Sequence, residues 1–501
     1  MFGSPACYLL GGPQAQRNIL SKLLRTMLSR FSLPAIITLV SVAGLVSAPP
    51  TLAQTKVKPN ILFICVDDLR PELGCYGKSH MHTPNIDQLA AQGRVFSRHY
   101  VQVPTCGASR HSLVSGRYPR AGSDRGNGAI SARAKNDKLT PTFPQVFKNN
   151  GYSTVAVGKV THYPGGLMGS EWNDPKQVEM PGAWDRNLMP SGEWKTPRNA
   201  MHGIANGVPR TRGKTPALEI KEGPDTLYPD GLITNTAIQQ LGELTKSEQP
   251  WLLAVGIIKP HLPFTAPKKY WDLYEGQKLP EVTDPEKPKR FLTWNGSGEF
   301  FGGYNHQGKD PRKDAEYAAL VRRYYYASVS YADAQVGKIL TSLEKSGQKN
   351  NTIVVLWGDH GWNLGEKAIW GKHSLYEESL QVPLIISTPG ISKAGTPAQA
   401  ITETIDIFPT LCDLTGVPAP DGLDGVSLKA QLDNPAADSD GLARSFWGGS
   451  QSIRTDKYRL TRGGKKDQTN YNLFLFPETE APDQAKVDSV SSELAPKFFK
   501  P

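Results

Sequence analysis

Two acidic clusters in this sequence follow apolar runs, and they are its clearest candidates for chemistry. Asp67 and Asp68 close one run, and Asp359 and His360 close another. An aspartate pair after a strand is by itself more often a turn or a helix cap. Three carboxylates brought together, however, repel one another unless a cation holds them, and their oxygens suit Ca²⁺ or Mg²⁺. The sequence therefore predicts a divalent metal site formed by these residues.

A third cluster lies in the segment Pro104–Pro119, where Cys106 stands just before a predicted helix. The amides at the start of a helix attract anions and lower the pKa of a thiol. Arg110 and Arg117 add positive charge to the same segment. The segment fits an anion site with a reactive cysteine, and equally well a capped surface helix whose cysteine has no chemical role.

Short apolar runs that alternate with helical stretches must position these clusters. The runs typical of strands buried on both faces are Ile61–Val66, Ser153–Val157, Trp251–Gly256, Ile353–Trp357 and Val382–Ser387. The predicted helices include Thr83–Gly93, Asp230–Leu244 and Ala315–Ser346. This alternation predicts an α/β fold with a large, mostly parallel sheet flanked by helices. Ligands of such sheets bind at the carboxyl ends of the strands, where the acidic clusters lie.

Two other regions depart from that pattern. Residues 163–228 are rich in Gly, Pro, Trp and charge with weak periodicity, which predicts a long insertion that shapes the substrate cleft. From residue 436 onward, short alternating segments such as Ser452–Leu460 and Tyr471–Leu475 are typical of a small antiparallel sheet. We therefore expect a main domain over residues 54–435 and a small C-terminal α+β subdomain over residues 436–501.

Residues 1–53 are predicted to be a secretory signal peptide. They contain no acidic residue, and basic residues lead up to the apolar run Phe31–Ala48, which Pro34 interrupts. Cleavage after Ala53 would leave a mature chain that is exported, either periplasmic or secreted, with no stable membrane insertion. A transmembrane anchor is the alternative, because a run of this length can just span a bilayer.

Composition excludes some classes of protein. The 501 residues include 38% hydrophobic residues, which is too many for a disordered chain. The formal net charge is +10, and without the four basic residues Arg17, Lys22, Arg25 and Arg30 of the predicted signal peptide it is 53 minus 47, or +6, a modest positive charge that suits anionic substrates. The sequence has no zinc-finger spacing and no basic run interleaved with aromatics, so nucleic acid is not an expected partner. The five cysteines do not make a disulfide scaffold, and whether Cys65 and Cys75 pair stays open.

The cysteine segment also resembles a known signature. Cys106-Gly-Ala-Ser-Arg110, followed by Ser115-Gly-Arg-Tyr-Pro119, is similar to the signature of type I sulfatases in the alkaline phosphatase superfamily. In that family the cysteine of a Cys-x-Pro/Ala-x-Arg motif is oxidised to formylglycine. Further similar motifs are Val66–Gly77, Thr83–Asp87, Gly158–His162, Lys259–Phe264 and Gly358–Trp362. Their order over residues 59–460 is most similar to the iduronate-2-sulfatase branch.

The resemblance implies an alkaline-phosphatase-like fold and a role for each site residue. It implies metal ligation by Asp67, Asp68, Asp359, His360 and the modified Cys106, with Ca²⁺ favoured over Mg²⁺. It implies that Arg110 holds the formylglycine hydrate, and that Lys159 and His162 contact the hydrate and the sulfate. It also implies that His261 contacts the sulfate and is a candidate for protonating the leaving alcohol, and that Lys372 clamps the sulfate. Since a thiolate is a poor Ca²⁺ ligand, the hydrated aldehyde would supply the oxygen ligand at this position. Lys259, near His261, is a candidate contact for a uronate carboxylate.

The expected activity is hydrolysis of sulfate esters in sulfated sugars. The branch implies a uronate 2-O-sulfate in a glycosaminoglycan or related polysaccharide fragment, and a formylglycine-generating enzyme as partner during maturation. Ala108 stands where many relatives have proline, and His360 replaces the asparagine of other branches. Three alternatives stay open: a phosphoesterase of the same superfamily, a non-catalytic protein that binds sulfated glycans, and a thiol hydrolase that uses Cys106 with a histidine.

Overall fold

A computed structural model describes residues 58–120, 122–134, 141–290, 292–465, 468–476 and 479–500. The signal peptide predicted for residues 1–53 lies outside these residues. In the described part of the chain, no helix combines the length and the apolar composition that crossing a bilayer would require.

Strands and helices alternate along most of the described chain. The strands are β1 (Asn60–Val66), β2 (Arg94–Tyr100), β3 (Ser153–Gly158), β4 (Leu167–Met168), β5 (Asp174–Val178), β6 (Arg186–Leu188), β7 (Leu218–Lys221), β8 (Trp251–Ile257), β9 (Phe264–Pro267), β10 (Thr352–Gly358), β11 (Asn363–Leu364), β12 (Trp370–Gly371), β13 (Leu384–Ser387), β14 (Ala398–Glu403), β15 (Ala443–Trp447), β16 (Ser450–Arg454), β17 (Tyr458–Lys465), β18 (Gln468–Leu475) and β19 (Thr479–Glu480). The α-helices are α1 (Pro84–Gln92), α2 (Cys106–Ser115), α3 (Ala129–Arg133), α4 (Phe143–Asn149), α5 (Pro197–His202), α6 (Pro229–Leu244), α7 (Lys268–Asp272), α8 (Gly298–Gly303), α9 (Ala315–Lys345), α10 (Glu377–Leu380), α11 (Ile407–Thr415), α12 (Lys429–Asp433) and α13 (Gln484–Leu494).

Eight strands form the central sheet, in the order β14-β2-β13-β10-β1-β8-β3-β6. The pairs around β1 are parallel, and β13 is antiparallel to both of its neighbours. Every residue of β1, β8 and β10 is buried, because one hydrophobic core lies on each face of the sheet. The predicted mostly parallel α/β fold is confirmed.

The carboxyl ends of four neighbouring strands meet at one edge of the sheet. Val66 of β1 pairs with Gly358 of β10 and with Ile257 of β8, and Gly158 of β3 pairs with Gly256 of β8. This register brings the residues that follow the four strands together. Most of the predicted site residues come from these four positions.

Some strands escaped prediction because their residues are polar. In β2, Arg94 is fully buried, and its guanidinium donates hydrogen bonds to the carbonyls of Gln431, Lys393 and Leu432. A buried arginine with all these partners is compatible with a strand, although its sequence does not resemble one. The short edge strand β6 likewise comes from the predicted insertion and pairs with β3.

The last part of the insertion predicted at residues 163–228 pairs with a strand that follows the central sheet. β7 runs parallel to β9, with Leu218 opposite Phe264. β9 begins three residues after His261, so this pairing brings the end of the insertion close to that histidine. The structure thus places the end of this segment, Leu218–Lys221, beside the carboxyl edge of the sheet.

The C-terminal part forms a five-stranded antiparallel sheet, β15-β16-β17-β18-β19, as predicted. A turn divides the predicted segment Ser452–Leu460 between β16 and β17. One face of this sheet packs on α13 through Leu460, Leu473 and Val490. The described residues from Lys58 onward form one compact unit that includes this sheet, and the domain boundary at residue 436 stays a prediction.

Candidate active site

The acidic clusters lie fully buried at the edge of the sheet. Asp67 and Asp68 follow β1, and the backbone N–H of Asp68 donates to Asp359 Oδ1 at 3.0 Å. Burial raises the pKa of Asp359 to about 7, and the charge of Asp67 adds to this effect. For Asp67, burial acts in the same direction, but the positive charge of Lys159 helps to hold its pKa well below the usual value. The three carboxylates are close enough to repel one another, as the sequence predicted.

His360 presents one ring nitrogen to these carboxylates. Its Nδ1 lies 3.1 Å from the carbonyl of Gly361 and donates to it, so Nε2 carries the free lone pair. Nε2 lies 3.3 Å from Asp68 Oδ1 and 3.2 Å from Cys106 Sγ. A histidine whose second nitrogen is held by a carbonyl is the usual arrangement for a metal ligand.

Cys106 is the first residue of α2, and its side chain points into the same cluster. Its Sγ also lies 3.5 Å from Lys372 Nζ. Asn127 supports this end of the helix, because its Oδ1 accepts hydrogen bonds from Gly107 N at 3.1 Å and from Thr105 Oγ1 at 3.2 Å. The helix start is therefore held at the edge of the sheet by side-chain contacts.

The predicted lowering of the Cys106 pKa is wrong for the unmodified thiol. Burial raises the pKa well above its usual value, and the charge of Asp67 adds to that effect. Lys159 and Lys372 act in the opposite direction without overcoming it. The thiolate form that a thiol hydrolase needs is therefore disfavoured here.

Arg110 lies one turn along α2 and joins the helix to two strand ends. Its Nε donates to Asp359 Oδ2 at 3.0 Å, and its Nη2 donates to Asp67 Oδ1 at 3.3 Å. Its Nη1 donates to the carbonyls of Lys159 and Val160. The side chain is fully buried, so water does not compete for these hydrogen bonds. They hold Asp67 and Asp359 in place relative to α2.

Two buried lysines that are far apart in sequence each donate a hydrogen bond to one of the aspartates. Lys159, directly after β3, donates from Nζ to Asp67 Oδ2. Lys372, directly after β12, donates to Asp68 Oδ1 at 2.9 Å, and its ammonium lies 5.4 Å from the centre of the Trp362 ring. Together with Arg110 they bring three positive charges to a site that has three carboxylates. This balance suits a cation and an anionic substrate together.

The two predicted histidines differ in position. His261 Nδ1 donates to the carbonyl of Leu262 at 2.6 Å, which leaves Nε2 facing the cluster. His162 packs on Tyr163 and Trp172, with ring centres 4.8 and 6.0 Å away, and its Nδ1 has no hydrogen-bond partner among the described residues. Burial, followed by the charge of Lys159, lowers the pKa of His162 to about 3, so its ring is neutral.

The donor atoms fit a metal ion. Asp67, Cys106, Asp359 and His360 offer ligand atoms within 4.8 Å of one another, and so do Asp67, Asp68, Cys106 and His261. The inclusion of His261 was not predicted. Each group offers two carboxylate oxygens, one nitrogen and one sulfur. Replacing the sulfur by oxygen gives three oxygens among four ligand atoms, which fits a hard cation such as Ca²⁺.

One predicted contact is wrong. Lys259 is 2% exposed, and its ammonium donates to the carbonyls of His261 at 2.8 Å and Pro263 at 2.6 Å. Those bonds turn it into the protein, so it holds the loop that carries His261 and does not face a substrate carboxylate.

Sequence reasoning missed Glu299, which lies at the start of α8. Its Oε1 is 3.5 Å from His261 Nε2, and its Oε2 is 3.4 Å from Lys372 Nζ. The side chain is a quarter exposed, so it links the buried site to solvent. The surrounding run of glycines is typical of a loop and gives no sign of this contact.

Comparisons with known proteins agree with the geometry. Residues 59–417 match the family model described as sulfatase, and residues 365–474 match the C-terminal model of N-sulphoglucosamine sulphohydrolase. Human iduronate 2-sulfatase is 33% identical over 394 residues, which cover 72% of this chain and 70% of that protein.

Solved structures show the same fold. The structure of BT4656 in complex with its substrate D-glucosamine-2-N,6-O-disulfate matches with a TM-score of 0.66 and 22% identity, covering 88% of this chain and 96% of that one. Phosphonate monoester hydrolase of Agrobacterium radiobacter matches with a TM-score of 0.70 and 23% identity, covering 88% and 94%. At these identities the likeness concerns the fold alone.

Proposed function

This chain belongs to the type I sulfatase family and is a sulfuric ester hydrolase, and from that premise we propose that it removes the 2-O-sulfate of a uronate in a glycosaminoglycan or related polysaccharide fragment. The similarity to human iduronate 2-sulfatase supports this substrate. The observation that carries sulfate-ester hydrolysis is the convergence of Cys106 with His360 Nε2 at 3.2 Å and Lys372 Nζ at 3.5 Å beside three buried aspartates.

We also propose that Cys106 is oxidised to formylglycine by a formylglycine-generating enzyme. Two observations support the modification: Cys106 begins the Cys-x-Ala-x-Arg motif, and burial disfavours the thiolate that an unmodified cysteine would need. The hydrated aldehyde would supply the nucleophilic oxygen, and its second hydroxyl would allow sulfate to leave. Ala108 at the central motif position is fully buried against Val103 and Tyr118.

Asp67, Asp68, Asp359 and His360 are the proposed ligands of a Ca²⁺ ion, with the modified Cys106 as a further ligand. Such an ion would withdraw electron density from the oxygens that it contacts. The positively charged side chains of the protein would also stabilise the negative charge of the substrate. Lys159 and Lys372 would neutralise the charge that develops on the sulfate oxygens, and Arg110 would hold the aspartates and the nucleophile in place.

His261 is the proposed proton donor to the leaving sugar oxygen. Because Nδ1 is bonded to the carbonyl of Leu262, only Nε2 can reach the substrate. Burial, followed by the charge of Lys372, holds the pKa of His261 well below its usual value, so the free ring is neutral. The carboxylate of Glu299, 3.5 Å from Nε2, favours the protonated form that a general acid requires.

The first experiment measures anion release by protein co-expressed with a formylglycine-generating enzyme. The substrates are 2-O-sulfated uronate disaccharides, other sulfated sugars and matched phosphate esters, and Cys106→Ala is the control. We expect sulfate release from the uronate substrate alone, and only from protein whose aldehyde is seen by mass spectrometry. Faster release from another sulfated sugar by the modified protein would contradict the proposed substrate.

The proposed location is the periplasm or the exterior of the cell. The support is the basic, acid-free start of residues 1–53 followed by the apolar run Phe31–Ala48. Cell fractionation and N-terminal sequencing test this. A mature chain that begins near Gln54 in the exported fraction is expected, and full-length protein retained in the cell would contradict it.

A further inference from the structure

Arg210 lies in the insertion and has no acidic partner. Its guanidinium lies 5.4 Å from the centre of the Tyr304 ring, and its Nη1 is 3.4 Å from the Tyr304 hydroxyl. Among the described residues, no carboxylate lies within ion-pair distance of this half-buried guanidinium. A partly desolvated arginine in this state favours an anion from outside the chain.

Tyr304 connects Arg210 to the catalytic cluster. The tyrosine is 2% exposed, and the charges of Arg210, Glu299 and Lys372 all act on its hydroxyl. Glu299 contacts His261 and Lys372 directly, so Arg210, held against Tyr304, lies on the side of the site where those groups meet.

His202, the last residue of α5, lies on the same side of the site. Its ring centre is 5.6 Å from that of His261 and 5.6 Å from that of Trp172. Its Nδ1 is buried and has no hydrogen-bond partner in the described part of the chain. A buried nitrogen without a partner is costly unless a ligand satisfies it. Burial, followed by the charge of Arg210, keeps this ring neutral by lowering its pKa well below the usual value.

We propose that Arg210 and His202 form a subsite for the carboxylate of a sulfated uronate, beside the sulfate site. This proposal deepens the proposed function and rests on it. The planar guanidinium matches a carboxylate through two parallel hydrogen bonds, and a neutral histidine donates a further one. The ring of Trp172, packed against His202, adds an apolar face for the sugar. Arg210 thereby takes the role first predicted for Lys259.

Three substrates test whether the subsite binds a carboxylate or a second sulfate group, since both are anions with similar oxygen acceptors. Matured enzyme receives a 2-O-sulfated uronate disaccharide, the same disaccharide with its carboxyl reduced to an alcohol, and D-glucosamine-2-N,6-O-disulfate. Arg210→Gln removes the charge, and His202→Phe removes the nitrogens while keeping a ring. Arg212→Gln is the matched control, since Arg212 is exposed in the same segment and, among the described residues, donates only to the carbonyl of Gly302 at 3.3 Å.

Arg210→Gln should lower kcat/KM on the uronate substrate by roughly 10- to 100-fold, the value of a hydrogen bond to a charged group. It should leave the carboxyl-reduced substrate little changed, and His202→Phe should show the same pattern to a smaller extent. Arg212→Gln should stay within about twofold on every substrate. An equal loss on both uronate and reduced substrates, or a loss confined to the disulfate, would overturn the carboxylate assignment.

Binding tests the subsite separately from turnover. Calorimetry with the Cys106→Ser protein and the 2-O-sulfated uronate disaccharide should show weaker binding after Arg210→Gln, with no such loss for the reduced disaccharide. If the matured enzyme releases no sulfate from uronates while this binding difference persists, the proposed function fails and the subsite stands. If the binding difference is absent, the subsite is refuted whatever the activity.

Discussion

Replacing Glu299 by glutamine tests how the leaving oxygen receives its proton. The substitution keeps the size of the side chain and removes the negative charge that lies 3.5 Å from His261 Nε2. At that distance and an effective dielectric constant of about 20, two unit charges attract by about 5 kcal/mol. Because the side chain is a quarter exposed, solvent screening reduces this to about 1–2 kcal/mol. The protonated form of His261 should therefore become roughly 5- to 30-fold rarer.

The assay compares leaving groups. A sugar alcohol needs a proton to leave, whereas an activated aryl sulfate does not, so Glu299→Gln should lower kcat/KM on the sugar sulfate and spare the aryl sulfate. The variant also frees Lys372, which Glu299 contacts at 3.4 Å, so KM for both sulfates should fall or stay unchanged. Glu275→Gln, an exposed carboxylate outside the site, is the matched control.

Two results would refute this reasoning. An equal loss on sugar and aryl sulfates would mean that Glu299 supports the site as a whole and not the proton donor. A gain on both would mean that its carboxylate acts mainly as a competitor of sulfate at Lys372. His261→Gln should show the leaving-group pattern of Glu299→Gln with a larger loss, roughly 100-fold or more.

Three further perturbations follow from the site. Cys106→Ser should accept at most one sulfate and never turn over, which intact-protein mass spectrometry and a sulfate assay check; repeated turnover would contradict the hydrate mechanism. Chelation with EGTA should abolish activity and lower Tm by several degrees, because at 100 times its Kd a bound ion stabilises by about 2.7 kcal/mol, and Ca²⁺ should restore both better than Mg²⁺. Burial raises the pKa of Glu179 from 4.5 to about 7, so its contribution to stability is present below pH 4.5 and is lost as pH rises through 7. This loss amounts to about 3 kcal/mol of the free energy of unfolding, and Glu179→Gln should remove it. The check is the urea midpoint of the wild type and the variant from pH 5 to 8, and the same pH dependence in both proteins would show the reasoning to be wrong.

Continuous apolar runs made the centre of the fold predictable. β1, β8 and β10 are buried on both faces, and such strands carry their signal in a few neighbouring residues. The acidic clusters that follow β1 and β10 could then be placed at one edge of the sheet. β2 escaped because Arg94 is buried among carbonyls from distant segments, and no local pattern reports such partners.

The site was predictable to the extent that its members follow strands or belong to motifs. Asp67, Asp359 and Cys106 meet as expected, although the direction of the Cys106 pKa was wrong. That pKa depends on how much water the folded protein excludes and on the distance to Asp67. Neither quantity can be obtained from the start of a helix alone.

The sequence by itself determined the central strands β1, β8 and β10, the positions where they end and the motif residues, because each depends on side chains that are neighbours in the chain. Only the tertiary structure decided that Glu299 meets His261, that Lys259 turns into the protein and that Arg210 stays without a carboxylate partner among the described residues. These contacts join loops that are far apart in sequence, and the loops take their paths from the packing of the whole domain. Their geometry is therefore a property of the fold, and the chemistry at the rim of the site follows from it.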